Sequence, residues 1–447
     1  MAPQTPRSAE TQAEKARLGH IPGSSSFLEL PRFLRDPLEF LESRHQQHGD
    51  LFKTRWIVPA VFALGPEANR QILITELKKF SYEGAYRDLA VGRLFANSIL
   101  VEDGEQHRLD RELLQPAMLR VSLQESLDPL HQIWDRIAEE LGPGAVLDPY
   151  SFSRRVTFEV AAKLLLGVDL KDEGVNTIQL LEVLLKGALA HTRWRVPLGK
   201  LDRGLRARGA LLQWLVRKLE LARSSGGGSG LLGLLAKHRD AQNAPLSNSR
   251  IAEHLLLLFW AGYDTTAATA SWLFYHLALS QRWQDRLREE QRTVLRDSAF
   301  TLAELDRLSD HLCVLREIER LRPAVLFFPR RTKEKVAFYG SSIPPGTLVF
   351  YSAYLTHRMS RLFQDPNMFA PERWEPGGSA SASNLVGFGG GTRVCLGKTF
   401  ALLQLKVMLV SLLQRFRLRL EPGDELRPIA LPIYRPSGIR IRLSALT

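Results

Sequence analysis

The sequence predicts a mostly α-helical fold with a minor β region. Two observations carry this. Leucine-rich segments with apolar residues at helical spacing fill about 121–141, 152–166, 177–189, 204–223, 249–280 and 397–415. Short β signals are confined to the stretch after residue 50, to Val336–Tyr339 and to about the last 35 residues. A third observation is that no internal repeat interrupts this pattern, which speaks against a solenoid.

The elements follow in order. Residues 1–30 read as a polar arm with a turn at Pro22-Gly23, and 31–447 as a single domain. Pro37–His48 has a helical pattern. Leu51–Ile57 and Ala60–Leu64 read as a β-hairpin. Ser224–Gly230 is a flexible linker by composition and separates two helices. Gly377–Asn384 is a second small-residue loop.

Composition bounds the rest. The 447 residues, by length alone, suggest about three domains or one large fold. A hydrophobic fraction of 45% with 24% charged residues excludes a disordered or fibrous chain. The two cysteines, Cys313 and Cys395, exclude a disulfide scaffold and a cysteine-built structural zinc site, and suit a reducing cytosol. A net charge of +12 points to nucleic acid, an anionic membrane or an acidic protein as partner. Met1–His20 is polar and lacks the apolar stretch of a signal peptide. No run approaches the roughly 20 apolar residues of a membrane span. A soluble cytoplasmic protein is expected, with peripheral membrane attachment left open.

The sharpest segment is Phe388-Gly389-Gly390-Gly391-Thr392-Arg393-Val394-Cys395-Leu396-Gly397, running straight into an apolar helix. A cysteine before a helix meets free backbone N–H groups that stabilise a thiolate. Such a thiolate ligates a soft metal or haem iron. The glycines let the backbone approach a flat cofactor, and Arg393 can pair with an anionic group on it. A buried inert cysteine is the plain alternative. A phosphate loop is excluded, since no Gly-Lys-Ser/Thr follows.

This segment resembles the haem-binding signature of the cytochrome P-450 family, Phe-x-x-Gly-x-Arg-x-Cys-x-Gly, at Phe388, Gly391, Arg393, Cys395 and Gly397. The resemblance implies Cys395 as the iron ligand and haem b as cofactor. Three further constellations agree in order and spacing. Glu317 and Arg320 lie at i and i+3 of a helix, an arrangement that is ordinarily a surface pair. With Arg373 they match the family's structural triad, which holds the cysteine loop. Ala261-Gly262-Tyr263-Asp264-Thr265-Thr266 places an acid and alcohols inside an apolar helix, where they are costly unless used. A local kink, with Thr265 bonded to a carbonyl, is the plain reading. The resemblance implies that Ala261 faces the cofactor and that Asp264 and Thr265 support proton delivery. His107 and Arg111 share a helix face. With Arg330 they match family contacts to the haem propionates, Arg331 being the competing choice.

The resemblance covers about Phe33 to the C-terminus and replaces the three-domain expectation by one cytochrome P-450 catalytic domain. It implies a monooxygenase that uses dioxygen as co-substrate, most like the branch of retinoic-acid hydroxylases and their cyanobacterial relatives. Electrons would come from a ferredoxin and its NAD(P)H-linked reductase. A peroxide-driven hydroxylase and a non-catalytic haem or ligand sensor are the alternatives. The family's pocket positions fall on Tyr86, Leu89, Leu94, Phe95, Leu256, Trp260, Val325, Leu326, Phe327, Leu431 and Ile433. That set is apolar and aromatic, so the expected substrate is apolar: a retinoid, fatty acid or terpenoid. Arg87 and Arg93 offer charges to a carboxylate, while Leu326-Phe327-Phe328 is bulkier than the branch's usual small residues. Between Lys186 and Arg223, ten basic residues stand against Asp202 and Glu220, which raises contact with an anionic membrane. Sequence-specific nucleic-acid binding is not expected, and the chain is expected to be monomeric.

Overall fold

A computed structural model describes residues 18–446 apart from 57, 88, 122–124, 170–174, 189, 191–195, 240–242 and 296–299. The expected arm is therefore described only from Leu18, and the basic run 186–223 lies in part outside the described residues. From Leu18 the arm is docked rather than free. Leu18 and Ile21 are buried, and the Lys53 ammonium donates to the Leu18 and Gly19 carbonyls.

Helices of eight or more residues are α1 (Pro37–His48), α2 (Gly104–Arg120), α3 (Leu127–Glu140), α4 (Pro149–Ala161), α5 (Val175–Ala188), α6 (Lys200–Ser224), α7 (Gly230–Lys237), α8 (Asn248–Leu279), α9 (Gln281–Val294), α10 (Ser309–Leu321) and α11 (Lys398–Leu413). Local chemistry sets several starts. Asp36 accepts from the Leu38 and Glu39 N–H groups ahead of α1, with Pro37 in its first turn. Asp148 and Pro149 do the same for α4, and Ser247 caps α8. The Ser224–Gly230 linker joins α6 to α7 as its composition suggests.

The strands are β1 (Leu51–Arg55), β2 (Pro59–Ala63), β3 (Phe80–Ser81), β4 (Val146–Leu147), β5 (Phe328–Thr332), β6 (Val336–Phe338), β7 (Ser341–Ile343), β8 (Leu348–Tyr351), β9 (Phe416–Leu420) and β10 (Ile441–Ala445). β1 and β2 form the expected hairpin, with Phe52 opposite Phe62. They open a five-stranded sheet in the order β1-β2-β8-β5-β3, where β2 and β8 run parallel. A second sheet has the order β4-β10-β9.

The largest hydrophobic core cluster runs from Phe33 to Leu443 and draws on both the helices and the sheets, and a second one, with Leu51, Val61, Phe80 and Val349, lies on the five-stranded sheet. α8 lies inside the largest cluster. Its 32 residues span about 48 Å at 1.5 Å per residue, and its buried positions fall on every face, as expected for a central helix. α4 packs along α8. The Phe158 ring meets Phe259 at 5.1 Å and Tyr263 at 5.2 Å.

Candidate active site

The cysteine loop turns from Gly387 into α11. The Cys395 N–H closes it on the Phe388 carbonyl at 2.8 Å. Gly391 has φ +59°, and a Cβ there would stand 2.2 Å from the Leu73 carbonyl oxygen. The close approach that demands glycine at 391 is thus to another backbone segment, in addition to any cofactor the loop borders. Cys395 sits two residues before Gly397, the residue that precedes the first turn of α11. Its thiol is pushed up by burial, against the Gly397 N–H, Arg111 and Lys398, which favour the thiolate. The helix-end effect expected from the sequence is therefore present but outweighed by desolvation. The side chain is nevertheless exposed, not covered by neighbouring side chains. An uncovered thiol whose surroundings disfavour the bare thiolate fits a metal, which supplies the positive charge that such a thiolate lacks.

Beside the loop lies a concentration of cations. Arg330 is 2% exposed. Its guanidinium donates to the Pro329 carbonyl and the Tyr82 hydroxyl and lies 3.5 Å from the Tyr82 ring centroid, yet its Nε is buried without a partner. Arg393 covers the same ring at 4.0 Å and pairs with Asp103 at 3.2 Å. Burial holds Arg393 down to about 10, with Arg330 and Arg111 adding to the effect. Arg111 donates to the Val394 carbonyl at 2.6 Å. His107 is buried and held down to about 4 by burial, then by Arg393 and Arg111. Three guanidiniums and a neutral imidazole share one neighbourhood, and one buried donor is left over. That donor set fits the carboxylates of an anionic cofactor. Arg331 turns away, to the Gly84 and Gly346 carbonyls.

The Glu317–Arg320 pair is fully buried, unlike an ordinary surface pair. Arg320 clamps the carboxylate with two 2.8 Å bonds and donates to the His357, Pro366 and Met368 carbonyls. Arg373 Nε reaches Glu317 at 3.2 Å, and the Trp374 indole N–H at 2.9 Å. His357 then connects this frame to the cysteine loop, because its Nε2 accepts from the Val386 N–H at 2.9 Å.

α8 carries the acid and alcohols in one continuous helix, not an interrupted one. The Thr265 hydroxyl donates to the Ala261 carbonyl at 2.8 Å, Thr266 to Gly262 at 2.7 Å, and Thr157 of α4 to Tyr263 at 2.8 Å. Hydroxyls thus occupy three successive carbonyls, which loosens the helix ladder locally. Asp264 is 4% exposed and accepts from the Tyr150 hydroxyl at 2.5 Å.

The expected pocket residues divide. Phe95 is fully buried and its ring meets Trp260 at 4.7 Å, with the Trp260 indole N–H buried and unpartnered. Leu256 is buried, while Tyr86, Leu89, Val325, Leu431 and Ile433 are half-buried. The turn carrying Leu431 and Ile433 is tied to the Val325 segment, since the Tyr434 N–H donates to the Ala324 carbonyl at 2.9 Å. Leu94 is fully buried, against Gly204 of α6. Leu326 is also buried. Phe327 packs its ring among Phe33, Trp56, Phe62 and Phe350 of the sheet's aromatic cluster, and Phe328 stacks on Tyr351. The bulk noted at 327 and 328 is therefore committed to the sheet. Arg87 is exposed and faces Glu83 at 3.7 Å.

The sequence reading missed Tyr82, Tyr150, Arg154, His357 and Trp374. Each reaches the site from an element far away in the chain. The one local signal was Trp374, adjacent to Arg373.

The family profile "Cytochrome P450" matches residues 22–438. The chain is 33% identical over 426 residues to "Putative cytochrome P450 120" of Synechocystis, covering 94% of each chain. It is 29% identical over 431 residues to "Pentalenene oxygenase" of Streptomyces avermitilis, covering 93% of this chain and 94% of that one. A solved structure described as "Retinoic acid bound cyanobacterial CYP120A1" superposes with a TM-score of 0.87 at 32% identity, covering 95% of this chain and 99% of that one. Among the described residues, no helix is long and apolar enough to cross a membrane. Fold, signature and relatives agree: the chain belongs to the cytochrome P450 family and is a haem-dependent monooxygenase.

Proposed function

We propose that Cys395 is the iron ligand of a haem b group, and that the enzyme inserts one atom of dioxygen into an apolar, lipid-like substrate. The observation that carries this is the uncovered Cys395 thiol, set beside an arginine cluster with an unpartnered Arg330 Nε. Arg330, Arg393, Arg111 and His107 would hold the propionates, and Phe388, Gly391, Gly397 and Ala261 would border the group. When bound, the haem supplies reductive activation of dioxygen. The chain's own residues do the rest. Glu317, Arg320 and Arg373 fix the loop that presents the thiolate. Thr265 and Asp264 hold the protons that the reaction consumes, which favours dioxygen over peroxide as oxidant. The apolar walls exclude water and orient the substrate.

Phe95, Leu256, Trp260, Val325, Leu431 and Ile433 make a wall suited to an elongated hydrocarbon, and the free Trp260 N–H suits a ligand with one acceptor end. The structural neighbour bound to retinoic acid makes retinoic acid the first substrate to test. Electrons are supplied by a ferredoxin and its NAD(P)H-linked reductase, in keeping with a chain of net charge +12 that attracts an acidic partner. The described part of the basic run divides: Lys186, Lys200, Arg203, Arg206 and Arg217 are exposed and keep membrane contact open, while two others turn inward. Arg208 is turned inward to the Leu94 carbonyl and Glu253, and Arg223 to the Ala236 and Leu246 carbonyls. A cytoplasmic monomer remains our proposal.

The test is a spin-state titration of the haem-loaded protein with retinoic acid, a fatty acid and a terpenoid. Retinoic acid or another apolar ligand should shift the Soret band to the blue. If polar ligands shift the band and none of the apolar ones does, the apolar-substrate reading fails.

A further inference from the structure

The Asp264 carboxylate does not stand alone beside Thr265. Tyr150, in the first turn of α4, donates its hydroxyl to Asp264 Oδ1 at 2.5 Å. Arg154, one turn later, approaches the same oxygen at 3.6 Å, an ion-pair distance but too long for a hydrogen bond. Arg154 also faces Glu182 at 3.6 Å, so its charge is divided. The phenol is thus the group in direct contact with the acid. It is itself held from the other side. The Arg435 guanidinium lies 4.2 Å from the Tyr150 ring centroid. Arg435 closes the turn that carries Leu431 and Ile433, exchanging backbone hydrogen bonds with Ile429 at 2.9 and 3.0 Å.

We propose that Tyr150 is a positioning residue for Asp264, and that Arg435 fixes Tyr150 from the turn bearing Leu431 and Ile433. The phenol holds the carboxylate toward α4, and the cation over its ring holds the phenol in register. Burial and the Asp264 charge both keep the phenol protonated, so at neutral pH it acts as a donor to the acid. Because Arg435 belongs to the turn, a ligand pressing on Leu431 and Ile433 acts on the acid through two contacts. This inference rests on the proposed proton role of Asp264.

The experiment compares wild type, Tyr150→Phe, Arg435→Gln and Asp264→Asn as haem-loaded proteins. Each is driven by a plant-type ferredoxin and its NADPH reductase, with retinoic acid as probe ligand. The readout is hydrogen peroxide released per NADPH consumed, in H2O and D2O across a pH series, so no product need be identified. Melting temperature and the carbon monoxide band of the reduced protein report structure separately. Tyr150→Phe should raise the ratio of NADPH spent on peroxide to NADPH spent otherwise by about tenfold, the effect of losing one hydrogen bond to a charged group. It should also displace the pH profile and leave the melting temperature and carbon monoxide band in place. Arg435→Gln should shift the same readouts in the same direction by less. If Asp264→Asn changes them and Tyr150→Phe does not, the positioning role is overturned. If neither variant changes them, the proton role of Asp264 falls and this inference with it. If Tyr150→Phe loses stability or its carbon monoxide band, Arg435→Gln decides, and a wild-type peroxide fraction in that variant overturns the proposal.

Discussion

Asp264 and Thr265 are adjacent in sequence but turn to different partners. Thr265 bonds back along its own helix to the Ala261 carbonyl, while Asp264 is taken up by Tyr150 and Arg154 of α4. A side-chain hydroxyl on a helix carbonyl is an exchangeable contact of about 1 kcal/mol, so Thr265 can release it to another acceptor at small cost. Thr265→Ala removes that hydroxyl without adding bulk. Product formation should fall by about tenfold, with peroxide release rising in step, while substrate affinity stays near wild type. Product and peroxide measured in the same assay check this. At this scale the sequence was most informative where partners lie close along the chain. Phe388 to Gly397 is one turn of backbone, so its spacing could be read directly. Tyr82 and His357 escaped because their roles exist only once β3, α10 and the cysteine loop meet. Phe327 was misjudged for a related reason. An apolar residue next to a pocket and one in a sheet's aromatic cluster look alike in sequence.

At the scale of elements, α10 is the frame beneath the cysteine loop. Its Glu317 carboxylate takes bonds from Arg320, Arg373, Trp374 and the Ala370 backbone, all without solvent. Removing one partner of a buried pair leaves an uncompensated charge, at a cost of about 3–5 kcal/mol. Glu317→Gln should therefore lower stability by that order and yield protein deficient in haem, measured by denaturant unfolding and by haem content per chain. His357 extends the same frame and gives it a pH dependence. Burial, then Arg320 and Arg358, push its pKa down to about 3 from an ordinary 6.5. The folded state thus keeps His357 neutral, while the unfolded chain takes up its proton near 6.5. Between those values the unfolded state binds more protons, so stability falls as pH drops from about 6.5 toward 3. The slope is at most about 1.4 kcal/mol per pH unit for this group. His107 and His276, also held neutral, act in the same direction. Unfolding midpoints at pH 7 and pH 5 should differ accordingly, and His357→Gln should flatten the dependence. α3, α4, α5, α6, α8 and α11 were legible from their apolar runs, whereas α9, polar and charged along most of Gln281–Val294, was not. The short helical turns at Gln71–Thr75 and Ala162–Leu166 were not, since they differ from α-helix only in hydrogen-bond step.

At the scale of the whole molecule, the largest core cluster joins Phe33 to Leu443, with a smaller cluster under the first sheet and another around Cys313. α8 threads the largest cluster, buried along most of its length, with Ala261, Gly262, Thr265 and Thr269 half-buried. Beside it the cysteine loop and the arginine cluster meet, brought from α2, β5 and the segment before α11. The central claim is that Cys395, at that convergence, is the iron ligand. The most direct test is the absorption spectrum of the haem-loaded, reduced protein under carbon monoxide, for wild type and Cys395→Ala. A strongly red-shifted Soret band in the wild type, lost in Cys395→Ala of unchanged fold, is the expected result. A wild-type band in the position of histidine-ligated haem, or a red-shifted band that survives in Cys395→Ala, would contradict it.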